Sequence, residues 1–278
     1  MCIKLNELSM NELIKIANKA RARVIETSHF AKVPHLGSCL SCIDILVALY
    51  WKILAINPLQ PSDPQRDRFI LSKGHAAPAL FQILAMKNFF PLSWLDDYGH
   101  DGSLFGEHPP AHGVPGIEAA TGSLGHGLSI GAGLALGSKI HHWKNRIYVL
   151  LSDGECNEGS VWEGALFAAA KKLNCLTVII DFNKWQATGR SEEVMALNPL
   201  LDKWQSFGWE AVETNGHHFE TLVPLLAQQP NSHRPRAIIA HTIKGKGVSF
   251  MEDDNNWHYR TPNAEEVILS KKELMDMA

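Results

Sequence analysis

The chain has 278 residues, 45 % of them hydrophobic and 20 % charged, with a formal net charge of −3. At ~100–200 residues per domain this allows one large domain or two small ones. The composition excludes an intrinsically disordered chain, 21 Gly and 14 Pro without a triplet period exclude collagen, and no global basic field invites nucleic acid or anionic lipid.

No apolar run approaches the ~18–20 residues of a membrane span. Residues 1–7 lack the apolar core of a signal peptide. Five cysteines (Cys2, Cys39, Cys42, Cys156, Cys175) are odd in number and sparse, so a reducing, cytoplasmic setting is expected rather than a disulfide scaffold. Cys39-x-x-Cys42 stands alone, without a second pair; a redox pair or half a zinc site is the alternative to the reading as two small residues beside a buried helix.

Ser9-x-x-Glu12 is a capping box ahead of Leu13, Ile16, Ala17, Ala20 and Val24, which recur at helical spacing. A second helix is predicted over 43–54, a buried strand over 68–72, a helix over 76–87 and a long Gly/Pro/His loop over 99–116. A small-residue helix is predicted over 127–141, where the run 131–135 reads as close helix packing. Strand 147–151, helix 161–172 and strand 176–180 follow, then strands at 209–213 and 237–240 flanking a helix over 219–228, and a helical tail over 264–277. Apolar strands separated by helices indicate a parallel sheet covered on both faces, hence one α/β domain. There is no linker-like composition shift, repeat or low-complexity segment.

Ligands of open α/β sheets bind at the carboxyl ends of strands. Two such ends carry chemistry: Ser152-Asp153-Gly154 and Asp181-Phe182-Asn183. A carboxylate and an amide oxygen form a hard donor pair suited to Mg²⁺ or Ca²⁺, with ligand phosphate completing the shell. Gly154 lets backbone approach a phosphate, and the helix opening near Val161 adds a positive dipole end. The alternative is that Asp153 and Asn183 only cap a helix and a turn.

Asp153-Gly154 and Asn183, thirty residues on, resemble the thiamine-diphosphate motif, and an ordered series resembles the transketolases. It comprises His35-Leu36-Gly37-Ser38, Ser72-Lys73-Gly74-His75-Ala76, Pro115-Gly116-Ile117-Glu118 leading into Thr121-Gly122-Ser123-Leu124-Gly125-His126-Gly127, and Asp153-Gly154 through Glu158-Gly159. His241-Thr242-Ile243-Lys244-Gly245-Lys246-Gly247 and Trp257-His258 complete it. The resemblance runs over about residues 20–263, and implies a thiamine-diphosphate-binding fold, mainly parallel with helices on both faces.

By that resemblance, Asp153, Asn183 and the Trp185 carbonyl hold Mg²⁺, with Ca²⁺ or Mn²⁺ as substitutes. Gly154 and His75, with Lys244 and His258, face the diphosphate, while Gly122 and Leu124 present backbone to the aminopyrimidine. His35, His75, His108 and His258 line the channel above the thiazolium carbon. Glu158 sits by the subunit interface, near the partner's cofactor-activating Glu. Imidazole, with a pKa near ~6.5, can take a proton from a ketose donor and return one to an aldose acceptor.

His29, His100, His112 and His233 have no matched position, and His141-His142 and His217-His218 read as surface pairs. Several residues depart from the family pattern: Ser152 for Gly, His126 for Gln, Leu36 for Pro, Tyr259 for Gly, and Glu107 inserted between Gly106 and His108. These put the usual pentose-phosphate substrates in doubt more than the cofactor.

Whole transketolases have three domains, and this chain matches the first. The expectation is a split enzyme: residues 1–278 form one diphosphate-binding domain, and a separate C-terminal subunit carries the pyrimidine-binding and C-terminal domains. Two copies of each chain are expected, acting on a sugar or sugar phosphate, without nucleic acid or membrane. The rivals are a 2-oxo-acid dehydrogenase subunit or a deoxyxylulose-phosphate synthase, and a non-catalytic regulatory subunit. The histidine set argues against the dehydrogenase, chain length against the synthase, and intact Asp153, Gly154 and Asn183 against the regulatory subunit.

Overall fold

The computed structural model describes residues 8–228 and 233–276; residues 1–7 with Cys2, and Met277, lie outside them. Helix α1 (Met10–Ala31) begins at the capping box: Ser9 Oγ accepts the Glu12 N–H at 3.3 Å and the Glu12 carboxylate accepts the Ser9 N–H at 2.7 Å. Its buried stripe includes Leu13, Ala17, Ala20 and Val24. Helix α2 (Leu36–Ser41) has no counterpart in the sequence expectations. Helix α3 (Ile43–Ala48) runs into a π turn over Leu49–Ile53, so the predicted 43–54 helix is two pieces.

Strand β1 (Arg68–Leu71), helix α4 (Ala77–Met86), helix α5 (Gly127–Ile140), strand β2 (Ile147–Ser152), helix α6 (Gly159–Ala170) and strand β3 (Leu176–Phe182) follow. Helices α7 (Ser191–Met195) and α8 (Leu200–Ser206) precede strand β4 (Glu210–Asn215), helix α9 (Phe219–Ala227), strand β5 (Arg236–His241) and helix α10 (Ala264–Asp276). Residues 98–126 hold neither helix nor strand, as their Gly/Pro/His content predicts. The expected elements are present with ends shifted by a few residues; β2 and β3 run one and two residues further than apolarity indicates.

The five strands are all parallel, in the order β1-β2-β3-β5-β4. Side chains of a strand alternate between faces. Phe69, Leu71, Tyr148, Leu150, Ile179 and Ile238 pack into a core with α1–α4, α9 and α10. Ile70, Ile147, Val149, Val178, Ile180 and Ile239 pack into a second core with α5, α6 and α8. Burial on both faces is why β2 and β3 read as unbroken apolar runs. On the second face α5 lies close: a Cβ on Gly131 would stand 2.5 Å from Val149 Cγ2, so the close packing expected of the 131–135 run holds at Gly131, while Gly133 is exposed with open space around it. Among the described residues no helix is long and apolar enough to cross a membrane. Cys39 and Cys42 are free and buried, their thiols donating to His75 O and Ser38 O.

Candidate active site

The carboxyl ends of β1, β2, β3 and β5 open on one side of the sheet, and the segments leaving them carry His75, Asp153, Asn183 and Lys244. A cleft of about 360 Å³ there is lined by His35, Ser38, His75, His108, Gly122, Leu124, Ser152, Gly154, Asn157, Glu158, Asn183, Trp185, Gln186, Ala187 and His258. The four histidines expected in the channel, distant in sequence, thus line one cleft.

His35 stands at φ 68, just ahead of α2. Its N–H donates to the His258 carbonyl at 2.7 Å, and its Nδ1 is buried without a partner. Ring centroids are 5.4 Å apart for His35–His75, 4.8 Å for His35–His258 and 6.1 Å for His75–His258. Burial, and then His108, Lys244 and Lys73, push His35 down to about 4. Burial, and then Lys244, His35 and Lys73, push His258 to about 3, and burial followed by Lys73 pushes His75 well below its ordinary value. All three are neutral imidazoles at neutral pH.

Lys244 is fully buried, with Nζ 2.6 Å from Asn255 Oδ1 and 3.0 Å from His258 Nδ1. Burial, followed by Lys73, lowers it to about 8. An ammonium only donates, so His258 Nδ1 accepts and the ring's proton sits on Nε2. Tyr259 rests edge-on against His258 at 4.8 Å.

Two glycines are required by close approach. A Cβ on Gly74 would lie 2.6 Å from Gly122 N, and one on Gly122 (φ 143) would lie 2.7 Å from His108 Cδ2. The turn after β1 and the long loop therefore interlock backbone to backbone. This holds His108, exposed in its loop, over the cleft.

Asp153 is fully buried and accepts from Gly154 N (2.9 Å), Lys184 N (2.8 Å) and Ser191 Oγ (2.8 Å). Burial, with Asp181 nearby, raises it to about 6, and no basic side chain bonds to it. Asn183 Oδ1 accepts the Trp185 N–H at 3.1 Å. A buried carboxylate with only neutral donors suits a cation. Among the described residues no group of three or more His, Cys, Asp or Glu is placed to hold a metal. Asp153 and Asn183 thus bring one carboxylate and one amide to neighbouring strand ends, oxygen donors of the kind a hard ion takes.

Glu158 is the N-cap of α6, exposed and packed against Gly125, whose added Cβ would meet the Glu158 Cβ at 2.8 Å. Sequence reasoning missed Glu155, buried beneath the cleft, which accepts from Gly125 N at 2.8 Å, from Ser152 N at 3.3 Å and from the Ser72 hydroxyl. It also missed the ion pair Lys73–Asp181, though Lys73 lies inside a quoted motif. His141 and His142 are exposed as expected, but His217 is not. Its side chain is 9 % exposed because Nδ1 bonds Asp44 at 2.7 Å and Nε2 accepts the Ile243 N–H at 2.9 Å.

The family described as transketolase, thiamine diphosphate binding domain, matches residues 13–276. The chain is 42 % identical over 251 residues to one of the subunits of the apulose-4-phosphate transketolase of Phocaeicola vulgatus, covering 90 % of this chain and 89 % of that one. It is 40 % identical over 237 residues to the SqwG subunit of the 6-deoxy-6-sulfo-D-fructose transketolase of a Clostridium species, covering 85 % and 86 %. Human transketolase is 35 % identical over 257 residues, and there the match covers 92 % of this chain but 41 % of the relative. The crystal structure of transketolase from Campylobacter jejuni superposes with a TM-score of 0.88 at 27 % identity, covering 96 % of this chain and 43 % of that one.

Proposed function

The chain belongs to the transketolase family, a family of transferases, and we propose that it is the diphosphate-binding subunit of a two-chain enzyme transferring a two-carbon ketol unit from a ketose to an aldose. The observation that carries this reading is the convergence of His35, His75, His108 and His258 with Gly154 and Asn183 on one cleft at the strand ends. Relatives of similar length are named as subunits, whereas the chain spans 41 % of human transketolase and 43 % of the Campylobacter chain.

Asp153, Asn183 and the Trp185 carbonyl would hold Mg²⁺, with Ca²⁺ or Mn²⁺ as substitutes. Gly154, His75, Lys244 and His258 would hold the diphosphate, and Gly122 and Leu124 would face the aminopyrimidine. Bound there, thiamine diphosphate supplies the electron sink for the two-carbon unit. The protein's part is orientation and proton traffic. His258, with Nδ1 engaged by Lys244, presents a fixed Nε2–H as a donor to a developing alkoxide. His35, His75 and His108 are left to take the donor hydroxyl proton and return it to the acceptor oxygen.

The partner is a C-terminal subunit carrying the pyrimidine-binding half, with two copies of each chain in a heterotetramer. Ile130 on α5 and Leu166 and Phe167 on α6 are exposed, as is Glu158 at the start of α6. Large apolar side chains exposed on these two packed helices support a contact between chains on this side of the domain. The substrate class is a ketose or ketose phosphate, as in the names of the split relatives. A reducing cytoplasm suits the four free cysteines among the described residues.

The test is ketol transfer, at a fixed amount of this chain, measured against increasing amounts of the C-terminal partner. We expect none from the chain alone, and saturation at equal amounts of the two. Full activity without a partner overturns the split-enzyme reading, and turnover of 2-oxo acids but not ketoses overturns the reaction class.

A further inference from the structure

β5 ends at His241, and the next residues leave the sheet to reach Lys244. The Ile243 N–H, beyond the ladder, donates to the ring of His217. His217 lies in the turn after β4, and that turn presses directly on the departing segment: a Cβ on Gly216 would stand 2.5 Å from Thr242 Cγ2. The other ring nitrogen bonds Asp44 on α3, which is also paired with Arg21 on α1. A carboxylate only accepts and an amide N–H only donates, so Nδ1 carries the hydrogen and Nε2 is bare. Arg21, Asp44, His217 and Ile243 form one buried relay from α1 to the main chain immediately before Lys244.

Lys244 is buried behind the cleft wall, and its ammonium meets His258, which lines the cleft. Its carbonyl accepts the Asp253 N–H at 2.8 Å, and the following Gly245 N–H donates to Gly37 O at 3.0 Å. With the main chain held on both sides, its buried ammonium has one place to go, between Asn255 and His258. A residue that only filled space in this turn would not need an imidazole with both nitrogens committed in opposite senses.

We infer that His217 is a positioning residue for Lys244, holding the main chain ahead of it so that the ammonium stays at the diphosphate end of the cleft. The inference rests on the proposed thiamine diphosphate site. Groups that orient a ligand-holding residue from behind typically contribute ~10–100-fold in affinity.

The experiment is calorimetric titration of thiamine diphosphate, at saturating Mg²⁺, into this chain assembled with its C-terminal partner. The forms compared are wild type, His217→Leu, His217→Gln, Lys244→Ala and the double variant His217→Leu/Lys244→Ala, each checked for folding by its ligand-free melting temperature. His217→Leu is expected to weaken binding by ~10–100-fold. His217→Gln, which keeps an acceptor and a donor, is expected to stay close to wild type. In the Lys244→Ala background, His217→Leu should cost nothing further. Unchanged affinity in folded His217→Leu, or losses that add in the double variant, overturns the inference alone. Absence of saturable wild-type binding overturns the inference together with the functional reading. If His217→Leu does not fold, His217→Asn, too short to span Asp44 and Ile243, takes its place in the same cycle.

Discussion

The floor and the rim of the cleft are both tied by an ion pair, and the two pairs behave as opposites. In the floor, Lys73 and Asp181 are fully buried, and Asp181 also takes hydrogen bonds from Ser41 (2.6 Å) and Thr242, while Lys73 reaches Ser38 O at 2.9 Å. Burial opposes both charges, yet Lys73 holds Asp181 below the usual carboxylate range and Asp181 holds Lys73 above the usual ammonium range. That pair joins β3, α2, the turn after β1 and the segment after β5. At the rim, Arg190 grips Asp253 through two bonds of 2.6 Å and lies 3.7 Å over the Trp185 ring, with 34 % and 54 % of the paired side chains exposed. It joins only two loops. Low dielectric makes the floor pair costly to break, while water makes the rim pair cheap.

The largest expected effect comes from breaking the floor. Lys73→Met leaves Asp181 buried without a cation and should cost ~3–5 kcal/mol of stability. Urea unfolding of the ligand-free chain measures it; a loss below ~1 kcal/mol would place this pair with surface bridges. Asp153→Asn should separate fold from function. It removes a buried charge to which no side-chain cation bonds, so ligand-free stability should hold, while magnesium-dependent thiamine diphosphate binding and ketol transfer should fall below detection. Wild-type magnesium dependence in that variant would remove Asp153 from the metal site.

The histidines between floor and rim predict a pH effect of intermediate size. His35 is lowered to about 4 and His258 to about 3, so the unfolded chain binds protons that the folded chain refuses. Ligand-free stability should therefore fall as pH drops from ~6.5 toward 4, and His35→Asn should flatten that slope. A slope unchanged in the variant would mean that His35 titrates normally. The smallest effect is at the rim. Arg190→Ala should cost no more than ~1 kcal/mol in stability. It should still weaken thiamine diphosphate binding measurably, because Asn183 and Trp185, both lining the cleft, belong to the loop that Arg190 latches. Equal affinity would make the latch ornamental to the site.

How much of this could be read from the sequence depended on range. β2 and β3 were legible because burial on both faces leaves apolar runs, and α1 because its cap and stripe are local. Asp153, Gly154 and Asn183 were legible because they follow those strands. Helix α2 was hidden, since Leu36-Gly37-Ser38-Cys39-Leu40-Ser41 has no periodic stripe and is buried all round. Lys73 meets Asp181 across 108 positions and His217 meets Asp44 across 173, and no local pattern marks either partner. His217 beside His218 looked like a polar surface turn for that reason. Glu155 sits next to the Asp153-Gly154 motif, but its partners, Ser72 and Gly125, come from two other loops.

The strand order has a consequence for how such a chain is made. β4 precedes β5 in sequence but lies outside it, and β4 pairs with β5 alone. While the chain emerges from the ribosome, β1, β2 and β3 can pair in turn, but β4 has no neighbour until Arg236–His241 arrives to fill the slot between it and β3. Lys244 and His258 come later still. A nascent chain halted before residue 236 therefore holds an open β3 edge and an unpaired β4, the kind of unfinished surface that chaperones cover.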